Sequence, residues 1–235
     1  MVRRATRRRT RDAPSWRHPV KLYTHPLSPY AAKVRIALDE KGLAFEEIAL
    51  PVGRQGIRSK PAELLAANPR GQVPVLFDGD VALYDSTVVV EYLDEIAPEP
   101  PLLPRGAAAR ARARLAEDDG DWLMGGAVAD LIAETFRKPD PATRDAQRIE
   151  AAAAAISAAY DRLEERLAKS EHVAGDAFGA ADAAWFLPIT CAALCGVAPA
   201  ERHAHLAAWM QRVASRPSVA RTMAILTGAL AKLTD

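Results

Sequence analysis

Residues 68–76 read NPRGQVPVL, and they place a proline at the start of an apolar run that follows a glycine turn. Proline has no backbone N–H, so it is confined to sheet edges, strand starts and bulges. The Val73-Pro74 bond is also a candidate for a cis peptide, since such bonds favour trans by only about 0.5–1 kcal/mol. We expect Val73 to be extended and to offer its N–H and C=O to the backbone of a small peptide. The alternative is an ordinary proline between a turn and a strand.

The segments around this run predict a unit with the element order β-α-β-α-β-β-α. Ser28 suits the N-cap of the first helix and Pro29 its first position, and Gly42 ends that helix. Residues 51–60 predict an irregular loop, and Asp78-Gly79-Asp80 predicts a hairpin turn. The predicted strands are 21–24, 45–50, 73–77 and 81–83, and the predicted helices are 29–41, 62–67 and 86–96.

A proline-rich segment separates this unit from a second half that is predicted to be helical throughout. The predicted α+β domain covers residues 20–97, the stiff linker 98–105 and the all-α domain 106–235. Gly125-Gly126 predicts a kink or a close packing point within the second domain. We find no internal repeat.

Composition argues against a membrane-spanning protein and against a nucleic-acid-binding one. The chain has 235 residues, with 31 basic and 30 acidic side chains, and no apolar run of about 18 residues that would span a membrane. Seven arginines fall in residues 1–19, which predicts a solvated, disordered tail, with a polyanion-binding arm as the alternative. The remainder is mildly acidic, so nucleic acid is not an expected partner. Two cysteines, Cys191 and Cys195, predict two buried, unpaired thiols in a reducing cytoplasm.

Three short polar segments are expected to meet at one edge of the first domain. Ser28 and Asp85-Ser86 each open a helix, where unpaired N–H groups and the helix dipole favour anions. Asp85 could pair with an α-ammonium group while Ser86 holds the adjacent carboxylate, beside the backbone dock at Val73. The alternative is that these side chains only cap their helices.

Together these segments resemble the soluble glutathione transferases, which join a thioredoxin-like domain to an all-helical domain. The matching stretches are SPYAAKVRIAL (28–38), NPRGQVPVL (68–76), LYDSTVVVEYL (83–93), VAGDAFGAAD (173–182) and WMQRVASRPSV (209–219). The resemblance covers about residues 20–233, in order and at the expected spacing. It implies a cytoplasmic detoxification enzyme that uses glutathione as co-substrate, needs no metal and forms a homodimer.

The resemblance also implies a role for each matched residue. Ser28 would activate the glutathione thiol. The glutathione-binding residues would be Lys60, Gln72, Val73, Pro74, Asp85 and Ser86. A pocket for an apolar electrophile would draw on Leu27 and Tyr30 from the first domain and Trp122 from the second, although Trp122 could equally serve domain packing.

A serine at position 28 favours conjugation over thiol–disulfide exchange. A cysteine there would form a mixed disulfide with glutathione, whereas a serine can only donate a hydrogen bond to the thiolate. We therefore expect attack of the thiolate on an electrophile. The alternatives are a glutathione-dependent isomerase, although its S-S-C type of motif is missing, and a binding or interaction scaffold with little catalysis.

Two further expectations concern the second domain. The family usually begins one helix of this domain with a Ser/Thr-x-x-Asp capping box, but Gly179 precedes Asp182 here. Half of the box would remain, at a cost of a few tenths of a kcal/mol. In the dimer, we expect basic side chains of one subunit to meet acidic ones of the other. These are Arg110, Arg112 and Arg114 on one side and Asp85, Glu91, Asp94 and Glu95 on the other, with Tyr92 as an apolar anchor.

Overall fold

The first domain is built on a four-stranded mixed sheet flanked by three helices. The computed structural model describes residues 20–233, so the predicted tail at 1–19 lies outside the described residues. The strands are β1 (Val20–Thr24), β2 (Phe45–Ala49), β3 (Val52–Gly53), β4 (Gly56–Ile57), β5 (Val75–Asp78) and β6 (Val81–Tyr84). The helices are α1 (Pro29–Glu40), α2 (Ala62–Ala67) and α3 (Ser86–Ile96). The predicted order is confirmed, with one addition.

That addition is a small hairpin inside the stretch predicted to be irregular. Strands β3 and β4 pair antiparallel, with Val52 opposite Ile57. From this hairpin Arg54 donates to the carbonyl of Phe136, and Gln55 donates to the carbonyl of Arg137, both at 3.3 Å. The sequence did not predict these strands, because a strand of two residues shows no alternating pattern.

The register of the main sheet brings the three polar segments to one edge. The strand order is β2-β1-β5-β6, with β1 parallel to β2 and antiparallel to β5. Val75 at the start of β5 faces Tyr23 near the end of β1, and it also faces Tyr84 at the end of β6. The chain therefore leaves β1, enters β5 and leaves β6 at the same edge.

The second domain is helical, as predicted. Its elements are α4 (Ala107–Leu123), a π-helical turn (Met124–Val128), α5 (Ala129–Glu134), a 3₁₀ turn (Pro141–Thr143), α6 (Ala146–Leu167), α7 (Ala180–Leu194), α8 (Ala204–Ala214) and α9 (Pro217–Ala231). The predicted kink at Gly125-Gly126 is the π-helical turn, where Gly126 leaves helical geometry with φ −100° and ψ −106°.

Helices α4 and α7 pack at close range through a glycine. A Cβ on Gly120 would lie 2.6 Å from the carbonyl oxygen of Ala184, so no larger residue fits this crossing. Beside it the indole N–H of Trp185 donates to the carbonyl of Ala116 over 2.7 Å. The apolar core continues from this contact into the first domain through α1.

A buried carboxylate organises the start of α7. Asp182 is fully buried, and its Oδ2 accepts from the N–H of Gly179 at 2.9 Å, which is the half capping box that was predicted. Its Oδ1 accepts from the N–H of Val173 at 3.1 Å and from the indole of Trp209 at 2.7 Å, and it lies 3.1 Å from Nδ1 of His172.

The glycine at the cap position has a steric reason that the sequence did not reveal. A Cβ on Gly179 would approach the carbonyl oxygen of Leu102 in the linker to 2.6 Å. That same carbonyl accepts from the N–H of Ala180 at 2.9 Å. A serine or threonine cap is therefore excluded by the linker.

Two other expectations can be compared with the described part of the chain. Cys191 and Cys195 are unpaired, as predicted, but they are half-buried rather than buried. Among residues 20–233, no helix combines the length and apolar character needed to cross a bilayer.

Candidate active site

Ser28 caps helix α1 at the edge where the three segments meet. Its side chain is buried, with 4% of the residue exposed, and its Oγ accepts from the N–H of Ala31 at 3.1 Å. The N–H of Ser28 donates to the carbonyl of His25 at 3.1 Å, which closes the turn after β1. Because Oγ acts as an acceptor in the cap, its own hydrogen remains available to a ligand.

The Val73-Pro74 peptide is cis, as the sequence suggested. Val73 precedes the ladder of β5, and no hydrogen bond in the described chain uses its backbone N–H or C=O. Gln72 is exposed beside it, and its carbonyl accepts from Asn68 at 3.0 Å. The exposed Lys60 lies across Gly71, since a Cβ on that glycine would be 3.0 Å from the Nζ of Lys60. The predicted residues of the 60–74 region therefore lie together.

Asp85 opens helix α3 in a strained conformation. It is the one non-glycine residue of positive φ among residues 20–233, with φ 74°, a conformation that persists where the surroundings impose it. Its Oδ1 accepts from the N–H groups of Thr87 at 3.0 Å and Val88 at 3.4 Å. The carboxylate is exposed and the adjacent Ser86 is buried. A capped helix N-terminus with a free carboxylate oxygen suits a zwitterionic ligand.

Tyr30 faces the second domain across a narrow crevice. Its hydroxyl donates to the carbonyl of Asp121 at 3.5 Å, and a Cβ on Gly125 would come within 3.3 Å of that hydroxyl. Burial, followed by the carboxylates of Asp121 and Asp85, raises the pKa of Tyr30 to about 12. Leu27 lies half-buried in the preceding turn.

The crevice beneath Tyr30 holds a cavity of about 10 Å³. The lining residues are Pro29, Tyr30, Lys33, Asp121, Met124, Ala184, Leu187 and Pro188. Four of them come from α7 or the π-helical turn, and the sequence pattern did not single them out. Nothing in single-sequence spacing distinguishes them from other apolar core positions.

Trp122 does not join this crevice. The side chain is 82% exposed, and it lies two helical turns from the exposed Leu115 on the same side of α4. The next residue back, Asp121, supplies the carbonyl that faces Tyr30. The prediction that Trp122 lines an electrophile pocket therefore has no contact that supports it.

Two buried cationic side chains of α1 were missed because the helix was interpreted by its apolar spacing. Lys33 and Arg35 are 1% and 2% exposed, and both are held by carboxylates. Arg35 and burial also affect His25, whose pKa falls to about 4, chiefly through burial, so this imidazole is neutral at physiological pH. A charged residue inside an apolar helical stripe is the signal that could have revealed them.

Comparison with known proteins agrees with this geometry. Residues 22–101 match the family model of the glutathione S-transferase N-terminal domain, and residues 113–217 match that of the C-terminal domain. Glutathione S-transferase 3 of Zea mays is 32% identical over 212 residues, which cover 88% of this chain and 95% of the maize protein. The chain belongs to the glutathione S-transferase family.

Solved structures place this glutathione S-transferase among others of the same fold. A glutathione S-transferase from Rhodospirillum rubrum F11 superposes with a TM-score of 0.76 at 30% identity, covering 86% of this chain and 91% of that one. The theta class glutathione S-transferase of Xanthomonas axonopodis pv. citri, with glutathione bound, gives 0.74 at 28% identity, covering 86% and 96%. The thioredoxin-like first domain and the all-helical second domain are thus the family fold.

The family's co-substrate is glutathione. Within the described residues 20–233, no group of three or more His, Cys, Asp or Glu side chains is placed to hold a metal ion. The groups at the sheet edge are helix N-termini, hydroxyls and one exposed carboxylate. This arrangement can bind a peptide zwitterion and donate a hydrogen bond to an anion beside it.

Proposed function

We propose that this protein conjugates the thiol of glutathione to a small apolar electrophile. The observation that carries the proposal is the Ser28 hydroxyl, which accepts from the N–H of Ala31 and keeps its hydrogen for a ligand. It lies at the sheet edge that also carries the free backbone of Val73 and the Asp85-Ser86 helix start. Binding the peptide there would bring its sulfur to Ser28.

The chemistry follows from the protonation state of the thiol. A thiol ionises with a pKa near 8.5 when unperturbed, and only the thiolate is a strong nucleophile. A charge-assisted hydrogen bond from Ser28 is worth about 1.5–3 kcal/mol, and about 1.4 kcal/mol lowers a pKa by one unit. The hydrogen bond and the N-terminus of α1 would therefore favour the thiolate near neutral pH.

The remaining glutathione contacts would come from the other two segments. Val73 would pair its N–H and C=O with the cysteinyl backbone, and Asp85 would pair with the α-ammonium group. Ser86, at the first position of α3, would hold the α-carboxylate. Lys60 and Gln72, which lie around Gly71, would face the glycyl end.

The electrophile would approach from the crevice beside Tyr30 and Leu27. The lining there is mostly apolar, with the charged Lys33 and Asp121 at one side, and the cavity of about 10 Å³ would have to widen to admit a substrate. The thiolate sulfur would form a bond to the electrophilic carbon. A leaving group would then depart with its electron pair, or the adjacent atom would take up a proton.

Retention on immobilised glutathione and turnover of a substrate panel test this proposal. The panel consists of aryl halides, epoxides, enones, peroxides and a cis-enone for isomerisation. We expect retention and conjugation of at least one halide, epoxide or enone. Isomerisation without conjugation would favour the isomerase alternative, and retention with no turnover of any substrate would favour the scaffold.

The compartment that suits this chemistry is the cytoplasm. Glutathione must be reduced to supply a thiol, and the two cysteines of the chain are unpaired. We therefore infer a cytoplasmic enzyme acting on small molecules.

We also infer a homodimer, although several of the charges expected at its interface have partners within one subunit. Arg110 lies 3.2 Å from Asp94 of the same chain, and Arg114 pairs with Glu91 of the same chain. The hydroxyl of Tyr92 donates to Asp78 at 2.7 Å. These intrachain contacts engage much of the predicted set, so we infer that the charges contribute less to the dimer than apolar side chains do.

Exposed apolar side chains would supply most of the affinity. Tyr84 and Val88 are exposed on the first domain, and Leu115 and Trp122 are exposed on α4 of the second. Two such patches on one chain allow the self-complementary contact of a two-fold dimer. Light scattering should give about twice 25.3 kDa for the wild type and one such mass for Leu115→Asp. A monomeric wild type at micromolar concentration would contradict the dimer.

A further inference from the structure

A buried ionic cluster joins the two helices that open at the active site to the second domain. The Lys33 cluster consists of Lys33 on α1, Thr87 on α3, and Glu117 and Asp121 on α4. The Nζ of Lys33 donates to Glu117 Oε1 at 2.8 Å, to Asp121 Oδ2 at 2.6 Å and to the hydroxyl of Thr87 at 3.0 Å. A single ammonium group thus uses its three donors on three side chains from two other helices.

The Thr87 hydroxyl is central to this geometry. It lies 3.1 Å from Glu117 Oε1 and 3.2 Å from Asp121 Oδ2, in addition to its contact with Lys33. It has one hydrogen, so it donates to one carboxylate at a time and accepts from the ammonium. This hydroxyl is the link between α3 and the other members of the cluster.

The charges of the cluster are strongly coupled. The side chains of Lys33 and Glu117 are each 1% exposed. Burial opposes the charge of Lys33, but the carboxylates of Glu117 and Asp121 outweigh it, and the pKa of Lys33 is raised. Burial, with the nearby Glu117 charge, raises the pKa of Asp121. Lys33 therefore stays protonated while it holds two carboxylates.

Stability alone does not account for such a group. Removing charges from water costs several kcal/mol per ion, and apolar side chains of similar volume are often as stabilising in the same place. The cluster is also incomplete as a salt bridge, since Oε2 of Glu117 is buried without a hydrogen-bond partner among the described residues. What the ionic cluster supplies is a directional constraint on three helices.

The position of the cluster shows what is constrained. Thr87 follows Ser86 directly, and its N–H is one of the two that Asp85 caps. Lys33 lies on the first turns of the helix that Ser28 opens, and Asp121 supplies the carbonyl that accepts from Tyr30. The cluster therefore lies directly behind both helix N-termini of the candidate site.

We infer that Lys33 is a positioning residue which, through Thr87, holds the Asp85-Ser86 end of the glutathione site in register with Ser28. This inference rests on the glutathione site proposed above. If the start of α3 shifted relative to the start of α1, glutathione could still bind at Asp85-Ser86. Its sulfur would then be displaced from the Ser28 hydroxyl. Misplacement by about 1 Å can lower a rate by up to about 100-fold.

A matched control follows directly after the other end of the same helix. Lys41 is equally buried, and its Nζ donates to Asp94 at 2.6 Å and to the carbonyl of Pro100 at 2.7 Å. It also joins α1 to α3, but Asp94 lies in the last turns of α3, away from the site. The two lysines are separated by eight residues of sequence, or about 12 Å along a helix.

The test compares Thr87→Val, Thr87→Ser, Lys33→Met and Lys41→Met with the wild type. For each variant, calorimetry gives the Kd of glutathione, ultraviolet titration gives the pKa of the bound thiol, and thermal melting gives Tm. Thr87→Val keeps the shape and removes only the hydroxyl, so it remains informative if Lys33→Met does not fold.

We expect Thr87→Val to weaken glutathione binding roughly 3- to 10-fold and to raise the bound thiol pKa, with Thr87→Ser restoring both values. Lys33→Met should have the larger effect on both. Lys41→Met should lower Tm while its Kd stays within about twofold of the wild type.

A Thr87→Val variant with wild-type Kd and thiol pKa would overturn the inference. An equal loss of binding in Lys41→Met would also overturn it, because it would show that any weakening of the α1–α3 contact has this effect. A wild type that binds no glutathione would instead overturn the proposed function, and the inference with it.

Discussion

The caps at the active site and the cap of α7 use the same chemistry in different surroundings. Ser28 and Asp85 each accept backbone N–H groups at a helix start, and so does Asp182. Asp182 is fully buried, and its two oxygens are occupied by groups from four residues. Asp85 is exposed and uses one oxygen, and Ser28 keeps its hydrogen.

The difference shows which cap can act on a ligand. A cap whose hydrogen-bonding capacity is used up inside the protein can only hold the fold. A cap with a remaining hydrogen or oxygen at a sheet edge can also bind. Substitutions at the first kind should therefore change stability, and those at the second kind should change ligand binding or turnover.

The largest expected effect on folding is at Asp182. We predict that Asp182→Ala lowers the free energy of unfolding by about 4 kcal/mol or more, because it leaves several buried donors without a hydrogen-bond acceptor. Urea unfolding of the purified variant measures this loss. Asp145→Ala is the matched control, since Asp145 caps α6 through one exposed contact, with Arg148, and should lose only about 1 kcal/mol. Equal losses in the two variants would remove the distinction between the caps.

A smaller loss is expected when the missing serine is restored at the α7 cap. Gly179→Ser completes the capping-box pattern, yet its Cβ would lie 2.6 Å from the carbonyl oxygen of Leu102. We predict a loss of about 2 kcal/mol and a fall in Tm of roughly 4–8 °C, measured by calorimetry. Gly228→Ser is the control, because the space around Gly228 is open. A higher Tm in Gly179→Ser would contradict this prediction, because it would show that the linker moves to make room for the serine.

At Asp85 the expected change is in binding. Asp85→Asn keeps an oxygen for the cap and tolerates positive φ, but it removes the negative charge. We predict that glutathione binds about 10-fold more weakly, a difference of about 1.4 kcal/mol, through loss of the ammonium partner. Calorimetry with glutathione and with a des-amino analogue measures the preference. If the variant prefers glutathione as strongly as the wild type does, Asp85 does not bind the ammonium group.

The sequence predicted the first domain well because its signals are local. Pro29, Gly42 and the Gly79 turn each determine backbone geometry within a few residues, so the element order followed from them. The motifs at Ser28, Val73 and Asp85 could be connected because parallel and antiparallel pairing brings their strand ends to one edge.

What the sequence could not predict depends on contacts between distant segments. The steric role of Gly179 is set by Leu102, and the pairing of Lys33 is set by α4. Arg110 and Arg114 look available in the sequence, but their partners lie on α3 of the same chain. Side chains that face the narrow crevice leave no periodic pattern, so Tyr30 is the one predicted pocket residue among those that line it.

In the proposed mechanism the free hydrogen of Ser28 stabilises the glutathione thiolate. The most direct test of this role is the pKa of the bound thiol, followed by ultraviolet absorbance against pH, in the wild type and in Ser28→Ala. We predict a wild-type value one to two units below that of free glutathione, near 8.5 for an unperturbed thiol. The variant should return toward the free value, and turnover should fall roughly 10- to 1000-fold while glutathione still binds. A bound thiol pKa that is the same in both proteins would contradict the claim.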